Sequence, residues 1–453
     1  MSGIVPANRC RKRRFQVKPK LTSILSVLIL TVLGSVLSAP PVFANPACGA
    51  TLNANTTLTA NIGPCSGNGL IIGQNGITLN CAGHTISGQG NVNFGVFLNG
   101  VTNVTVKNCK ATAFNDGFEL VGSSSNTLTG NTATNNQNAG FDLSGSSSNT
   151  LTGNTANNDY LYGFSLESSS NGNTLTKNHE TVTVNYNGPW SGGIAGFSVL
   201  SSSGNTLTAN TATGNQGIGF EFSSSSGNTL AENTATGNYQ GGFSFYMSCN
   251  GNTLTTNAAT SNVGFAPIDG FYLQGSSNTL TTNTATGNSG DGFELYGPSN
   301  GNTFTTNTAT GNGSDGFELY GASSNTLTKN KATSNSGDGF ELDGYDGPAV
   351  AALSSSNGNT LTTNTATSNG AYGFDLQRSS NGNTLTTNSA ISNQMSGYYD
   401  TTVSSSPGVP NWDTANSYGT TVAKVDDTGD TGAGNSGGFA AGNPNIATAT
   451  SPF

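Results

Sequence analysis

Acidic residues recur at fixed positions in this chain, and their spacing is its first chemical signal. The pentapeptide Asp-Gly-Phe-Glu-Leu occurs three times, beginning at Asp291, Asp315 and Asp338. Its glutamates are Glu294, Glu318 and Glu341, and Asp375 fills the same slot in the next related segment. Two carboxyls about 5–5.5 Å apart suit glycoside hydrolysis with retention, and about 6.5–9.5 Å suits inversion. Glu294, Glu318, Glu341 and Asp375 are therefore candidate catalytic residues. Asp291, Asp315, Asp338 and Asp343 offer hard oxygen donors and are candidate calcium ligands. Calcium is the one cofactor this pattern suggests. Aromatic residues near these carboxyls suit sugar rings, which present apolar faces and hydroxyl edges. Trp190, Tyr272, Tyr296, Tyr320 and Tyr345, with Arg378 just past Asp375, are the candidate substrate-binding residues. A solvated acidic face, with the Asp side chains capping turns, accounts for the same residues without chemistry.

The charge excludes some partners. The formal net charge is -9. The first 44 residues carry seven of the 14 Lys+Arg and none of the 23 acids, so the remainder stands at -16. A nucleic-acid phosphate partner is excluded on that balance. A polyuronate would also be repelled unless calcium bridged it. Arg378 is the only arginine after that segment, which disfavours uronate lyase chemistry.

The elements that must position these side chains are repeats. The phrase Asn-Thr-Leu-Thr-x-Asn-Thr-Ala-Thr returns at steps of mostly 23 or 24 residues, from Asn126 to Asn383. Degenerate copies at Asn75 and Asn103 bring the Asn pairs to 13. Between them lies Gly-Phe-x-Leu. Each of the three segments alternates, and Gly, Ser and Asn bound it as turns. Such short segments bury nothing alone. Wound into a coil, they stack Phe on Phe and Leu on Leu into one core. The spacing predicts an all-β parallel solenoid of about 13 coils, three short strands per coil, with strands roughly 4.8 Å apart. The repeated Asn side chains would bond to their copies in neighbouring coils. Three insertions, before Phe197, before Phe271 and after Phe340, all flank the Gly-Phe-x-Leu strand. Loops on one side of a repeat scaffold build the walls of a groove. The residues expected in them include His179, Glu180, Tyr186, Trp190, Tyr345 and Asp346.

The repeat resembles right-handed parallel β-helix proteins of the pectin-lyase-like superfold, in particular the NosD-type repeat family. The resemblance covers roughly residues 69 to 395. It extends to a cap-like opening with Cys48-Gly49-Ala50-Thr51-Leu52 and Gly76-Ile77-Thr78-Leu79-Asn80. It implies the right-handed fold but no single activity, since the superfold hosts lyases, hydrolases, epimerases, adhesins and binding modules. The NosD label implies copper, for which soft ligands are expected. His84, His179, Met247 and Met395 are scattered, so copper is not carried over. The paired Asp, Gly-His-Gly and Arg-x-Lys motifs of polygalacturonases are missing.

The expected organisation has four parts. Residues 1–44 read as a signal peptide, with a basic start, an apolar run from Ile24 to Ala39 and cleavage after Val42-Phe43-Ala44. Residues 45–68 are an N-terminal cap, 69–395 the parallel β-helix, and 396–453 a C-terminal cap and flexible tail. An exported chain can form disulfides; the expected pairs are Cys48–Cys65 and Cys81–Cys109, which leaves Cys249 free. The function expected is a secreted, extracellular or periplasmic, polysaccharide-directed protein that binds or cleaves a cell-envelope glycan on its acidic face. A structural or adhesive surface rod is the rival. A minor alternative is ice binding through the Thr-x-Thr ladders.

Overall fold

The computed structural model describes residues 45–90, 93–181, 194–344, 356–377, 380, 382–395, 397–400, 417–418 and 425–426. The chain is a right-handed parallel β-solenoid built of three sheets, each with 15 strands. Every pairing between neighbouring coils is parallel, and no helix occurs among the described residues. Sheet A carries the Gly-Phe-x-Leu strands, sheet B the Thr-Leu-Thr strands and sheet C the Thr-Ala-Thr strands. The 13 coils with Asn pairs are the second to the fourteenth. Strands Ala50–Leu52, Thr56–Thr57 and Ile62–Cys65 add a coil before them. Strands Tyr398–Asp400, Ser417–Tyr418 and Val425–Asp426 add one after.

Sheet A explains the repeat. Its Phe and Leu point inward because strand side chains alternate. From Phe118 to Phe374 the phenyl rings form one stack, with centroids 4.7–4.8 Å apart and planes within 8° of parallel. Tyr398 ends the column 4.9 Å beyond Phe374. Each Phe is worth roughly 1.5–3 kcal/mol of burial. The stack pins the register, because a slip of one residue would turn every ring outward.

The glycine before each Phe is a packing requirement. A Cβ on Gly292 would stand 2.6 Å from the Cβ of Ala309 and 3.0 Å from Asn312 Nδ2. Sheets A and C therefore approach closely only because Gly faces Ala.

Asn side chains form three ladders, not two. Asn307 shows the pattern. Its Oδ1 accepts the backbone N–H of Asn283 at 2.8 Å and the Nδ2 of Asn283 at 3.0 Å. Its Nδ2 donates to Leu280 O at 2.9 Å and to Asn330 Oδ1 at 3.0 Å. The third ladder runs through Asn288, Asn312, Asn335, Asn369 and Asn393, with the same bonds. It was legible as a further Asn five residues after the second. Buried corner amides must find partners, and each ladder satisfies backbone and side chain together.

Cys48 is bonded to Cys65 and Cys81 to Cys109, in the first three coils. Cys249 is free and buried, in a column otherwise occupied by Ser225 and its equivalents. His179 and Glu180 do not lie in a wall loop. They belong to the sheet C strand His179–Thr181, with Glu180 in the inward slot between Ala156 and Ala212. The alternation of that strand decides the point, because Glu180 replaces the Ala of Thr-Ala-Thr.

Candidate functional site

The acidic residues meet on the outward face of sheet A. Glu294, Glu318, Glu341 and Asp375 are direct neighbours in register. Asp269, Asp291, Asp315 and Asp338 stand just before these strands, at the turn from sheet C.

The Asp side chains turn back to the backbone. Asp291 accepts the N–H of Asp315 at 2.6 Å, and Asp269 accepts that of Asp291 at 2.8 Å. Asp315 does the same for Asp338, and Asp338 for Tyr372. Each Asp therefore caps the following coil.

The same Asp side chains also meet the next coil's outward acid. Hydrogen bonds link Asp269 with Glu294, Asp291 with Glu318, Asp315 with Glu341 and Asp338 with Asp375. Oxygens of Asp291, Asp315 and Glu318 all lie within 4.8 Å of one another, and so do those of Asp315, Asp338 and Glu341. Two carboxyls can share such a bond only if one carries a proton. Burial pushes Asp315 up to about 9, helped by the charges of Asp291 and Glu341. Burial likewise raises Glu341 to about 7. Glu294, Glu318, Asp338 and Asp375 are raised for the same reasons, burial first and neighbouring acids second.

Asp343 is placed elsewhere. It ends the strand Phe340–Asp343, in the column of Tyr320 and Gln377, away from the capping Asp residues. Gln377 Nε2 donates to Asp375 at 2.6 Å and to Glu341 at 3.0 Å.

Four tyrosines run beside the carboxyls. Tyr246 and Tyr272 have ring centroids 5.3 Å apart, Tyr272 and Tyr296 6.1 Å, and Tyr296 and Tyr320 5.3 Å. All four are partly exposed. Sequence reading missed Tyr246, which lies two sheet A strands before the first Asp-Gly-Phe-Glu-Leu. Its signal was the outward position after Phe245. Trp190, Tyr345 and Arg378 lie outside the described residues, as do Tyr186 and Asp346.

The family model described as "Right handed beta helix region" matches residues 42–195 and 261–409. The chain belongs to this family. Within this β-helix chain, a second model, "Periplasmic copper-binding protein (NosD)", matches residues 180–269. Copper does not fit the residues there. Met247 is 69% exposed, while the buried Cys249 Sγ bonds to Ser225 N–H and Tyr246 O. Burial also pushes the thiol up to about 11, which disfavours the thiolate a metal needs. No described trio of ligand groups lies within that span.

Solved structures similar to this β-helix include the A-module of the Azotobacter vinelandii mannuronan C-5 epimerase AlgE6. It is 18% identical with a TM-score of 0.49, over 68% of this chain and 91% of that one. The periplasmic alginate epimerase AlgG is 14% identical with a TM-score of 0.42, over 66% and 76%. The catalytic domain of a GH87 alpha-1,3-glucanase in complex with nigerose is 16% identical with a TM-score of 0.30, over 73% and 60%. No curated protein matches the sequence.

Proposed function

We propose that this β-helix binds a polysaccharide along the outward face of sheet A, from Tyr246 to Asp375. The run of four tyrosine rings beside the paired carboxyls carries this reading. The rings offer partly exposed faces for sugar stacking, and a sugar's hydroxyl edges need both donors and acceptors. A carboxyl pair that shares a proton supplies both. Shared protons also reduce the charge of the face, so a neutral glycan is the favoured ligand. An anionic glycan would need calcium, for which Asp291, Asp315 and Asp338 remain the candidate ligands.

Binding is favoured over cleavage. A glycosidase pair stands about 5–5.5 or 6.5–9.5 Å apart. Glu294, Glu318, Glu341 and Asp375 each already bond to an Asp of the preceding coil. The reading includes export, with residues 1–44 as a signal peptide outside the described residues and 45–453 as the mature chain. Secretion to the periplasm or beyond would bring the face to an envelope glycan.

The test is a glycan array probed with residues 45–453 and with Tyr296→Ala and Glu318→Gln variants. Binding of a glycan that both variants weaken supports the proposal. A folded protein that binds no glycan at any calcium concentration sinks it and leaves the structural rod. Thermal hysteresis in the same preparation would point to the Thr ladders and ice instead.

A further inference from the structure

A second group of acids sits near the other end of the solenoid. Asp116, Glu119 and Asp142 belong to the neighbouring sheet A strands Asp116–Val121 and Ala139–Ser144. Glu119 and Asp142 are direct register partners. One oxygen from each of the three residues lies within 4.8 Å of the other two. Two oxygens bound to one calcium at 2.3–2.6 Å stand at most about 5 Å apart, so the three fit around a single ion.

This group differs from the C-terminal trios in that no member is partly exposed. All three side chains are buried, at 2%, 5% and 9% exposure. Asp142 Oδ1 is fully enclosed and accepts no hydrogen bond. A buried carboxylate oxygen without a partner costs about 1–3 kcal/mol or more, so its vacancy points to a ligand. Asp116 is held firmly. Its Oδ1 accepts Ala139 N–H at 2.9 Å and Asn138 Nδ2 at 2.7 Å, and its Oδ2 accepts Asn115 Nδ2 at 2.7 Å. Such outer contacts orient a metal ligand and leave lone pairs for the ion. The charged groups near the trio are two further acids, Glu167 and, beside Asp116, Asp159.

We infer that Asp116, Glu119 and Asp142 form a calcium site that ties two consecutive coils of sheet A together. Three hard carboxylates and no nitrogen or sulfur donor select calcium over softer metals. Water completes its six to eight ligands. Two positive charges offset most of the negative charge of the three carboxylates. The inference does not rest on the glycan reading.

The experiment uses chelator-treated protein of residues 45–453 at pH 7.5. Calcium is titrated by calorimetry, and thermal unfolding is followed with and without it. Magnesium serves as the control. The wild type is expected to bind calcium and to unfold at a higher temperature in its presence. Glu119→Gln and Asp142→Asn should each remove that isotherm and that thermal shift, while Glu318→Gln keeps both. Circular dichroism identifies any variant that fails to fold. Terbium luminescence on the wild type, displaced by calcium, then reads the site without mutation. Loss of both responses only in Glu318→Gln would overturn the assignment. So would the absence of calcium and terbium binding to folded wild type, which would mean that protons alone settle the cluster.

Discussion

The Oδ1 of Asp291 accepts the backbone N–H of Asp315 at 2.6 Å, one coil further along the solenoid. The same carboxyl also bonds to Glu318. One side chain therefore caps a turn and joins an acidic pair. These two duties separate by substitution. Asp291→Ala leaves a buried N–H without an acceptor and should cost about 1–3 kcal/mol in urea unfolding. Asp291→Asn keeps the Oδ1 acceptor and removes a charge from beside Glu318, so it should keep the cap and be at least as stable as the wild type at pH 7. Equal losses for Ala and Asn would show that the carboxylate charge, not the cap, is needed.

The raised acids fix the sign of the pH dependence. Asp315 sits near 9, Glu341 near 7, Glu119 near 9 and Asp142 near 7, against ordinary values of 3.8 and 4.5. Between about pH 4 and 9 the folded chain thus binds more protons than the unfolded one. Their contribution is complete below the ordinary values and is lost as pH rises through the raised ones. In calcium-free buffer the unfolding temperature should be higher at pH 5 than at pH 9. Glu318→Gln should flatten that slope. A protein more stable at pH 9 than at pH 5 would contradict the shared protons.

Sequence periodicity revealed the solenoid because a coil must repeat its inward residues. Phe118 through Phe374 announce their column by type alone, and the two Thr-flanked Asn announce theirs. Partner choice was less legible. Asp315 reads equally as a cap, an ion ligand or a solvated acid until the N–H of Asp338 and the Glu341 carboxyl are placed around it. Glu180 misled because an acid beside an insertion suggests a loop, whereas strand alternation sends it into the core. The cluster around Asp142 was hidden too. Glu119 and Asp142 share the outward slot of the repeat, but only the folded neighbours show that an oxygen there goes unpaired.

Glu180 carries its own test. It is 1% exposed, and its Oε2 accepts Asn215 Nδ2 at 2.6 Å. Burial pushes its pKa well up, with the nearby Asp159 adding to the shift. Five residues past Asn178, where the adjacent coils place Asp159 and Asn215, this chain has Thr183. Glu180 is one acceptor of Asn215 Nδ2, which also donates to Asn238 Oδ1 at 2.8 Å. Glu180→Gln should retain the bond and gain stability above pH 7. Glu180→Ala should lose about 2–4 kcal/mol through the cavity and the lost hydrogen bond. Chemical denaturation of the two variants at pH 8 checks the ordering, and an Ala variant as stable as Gln would refute it.

Asn307 tests the ladders. Replacing it with Ala removes two bonds that its Oδ1 accepts from Asn283 and two that its Nδ2 donates. At about 1 kcal/mol per bond, with buried partners left unpaired, the loss should reach about 3 kcal/mol. Asn307→Asp would also lose the Nδ2 donor and place a charge against Asn330 Oδ1, so it should be no better near neutral pH. A loss under about 1 kcal/mol for Ala would mean that water fills the ladder, and urea unfolding of both variants measures it.

Tyr296 separates sugar binding from scaffold. Its ring lies 5.3 Å from Tyr320 and 6.1 Å from Tyr272, so it links the row. It is outward and partly exposed, while the core beneath consists of Phe293 and Leu295. Tyr296→Ala should therefore leave unfolding nearly unchanged and weaken glycan binding about tenfold, the effect of losing roughly 1.4 kcal/mol of ring contact. Tyr296→Phe keeps the stacking face and should retain most of the affinity. Calorimetric titration of whichever glycan the array identifies gives the ratio. If Ala and wild type bind equally, the tyrosine row is not the sugar platform. If Phe falls as far as Ala, the hydroxyl rather than the ring makes the contact.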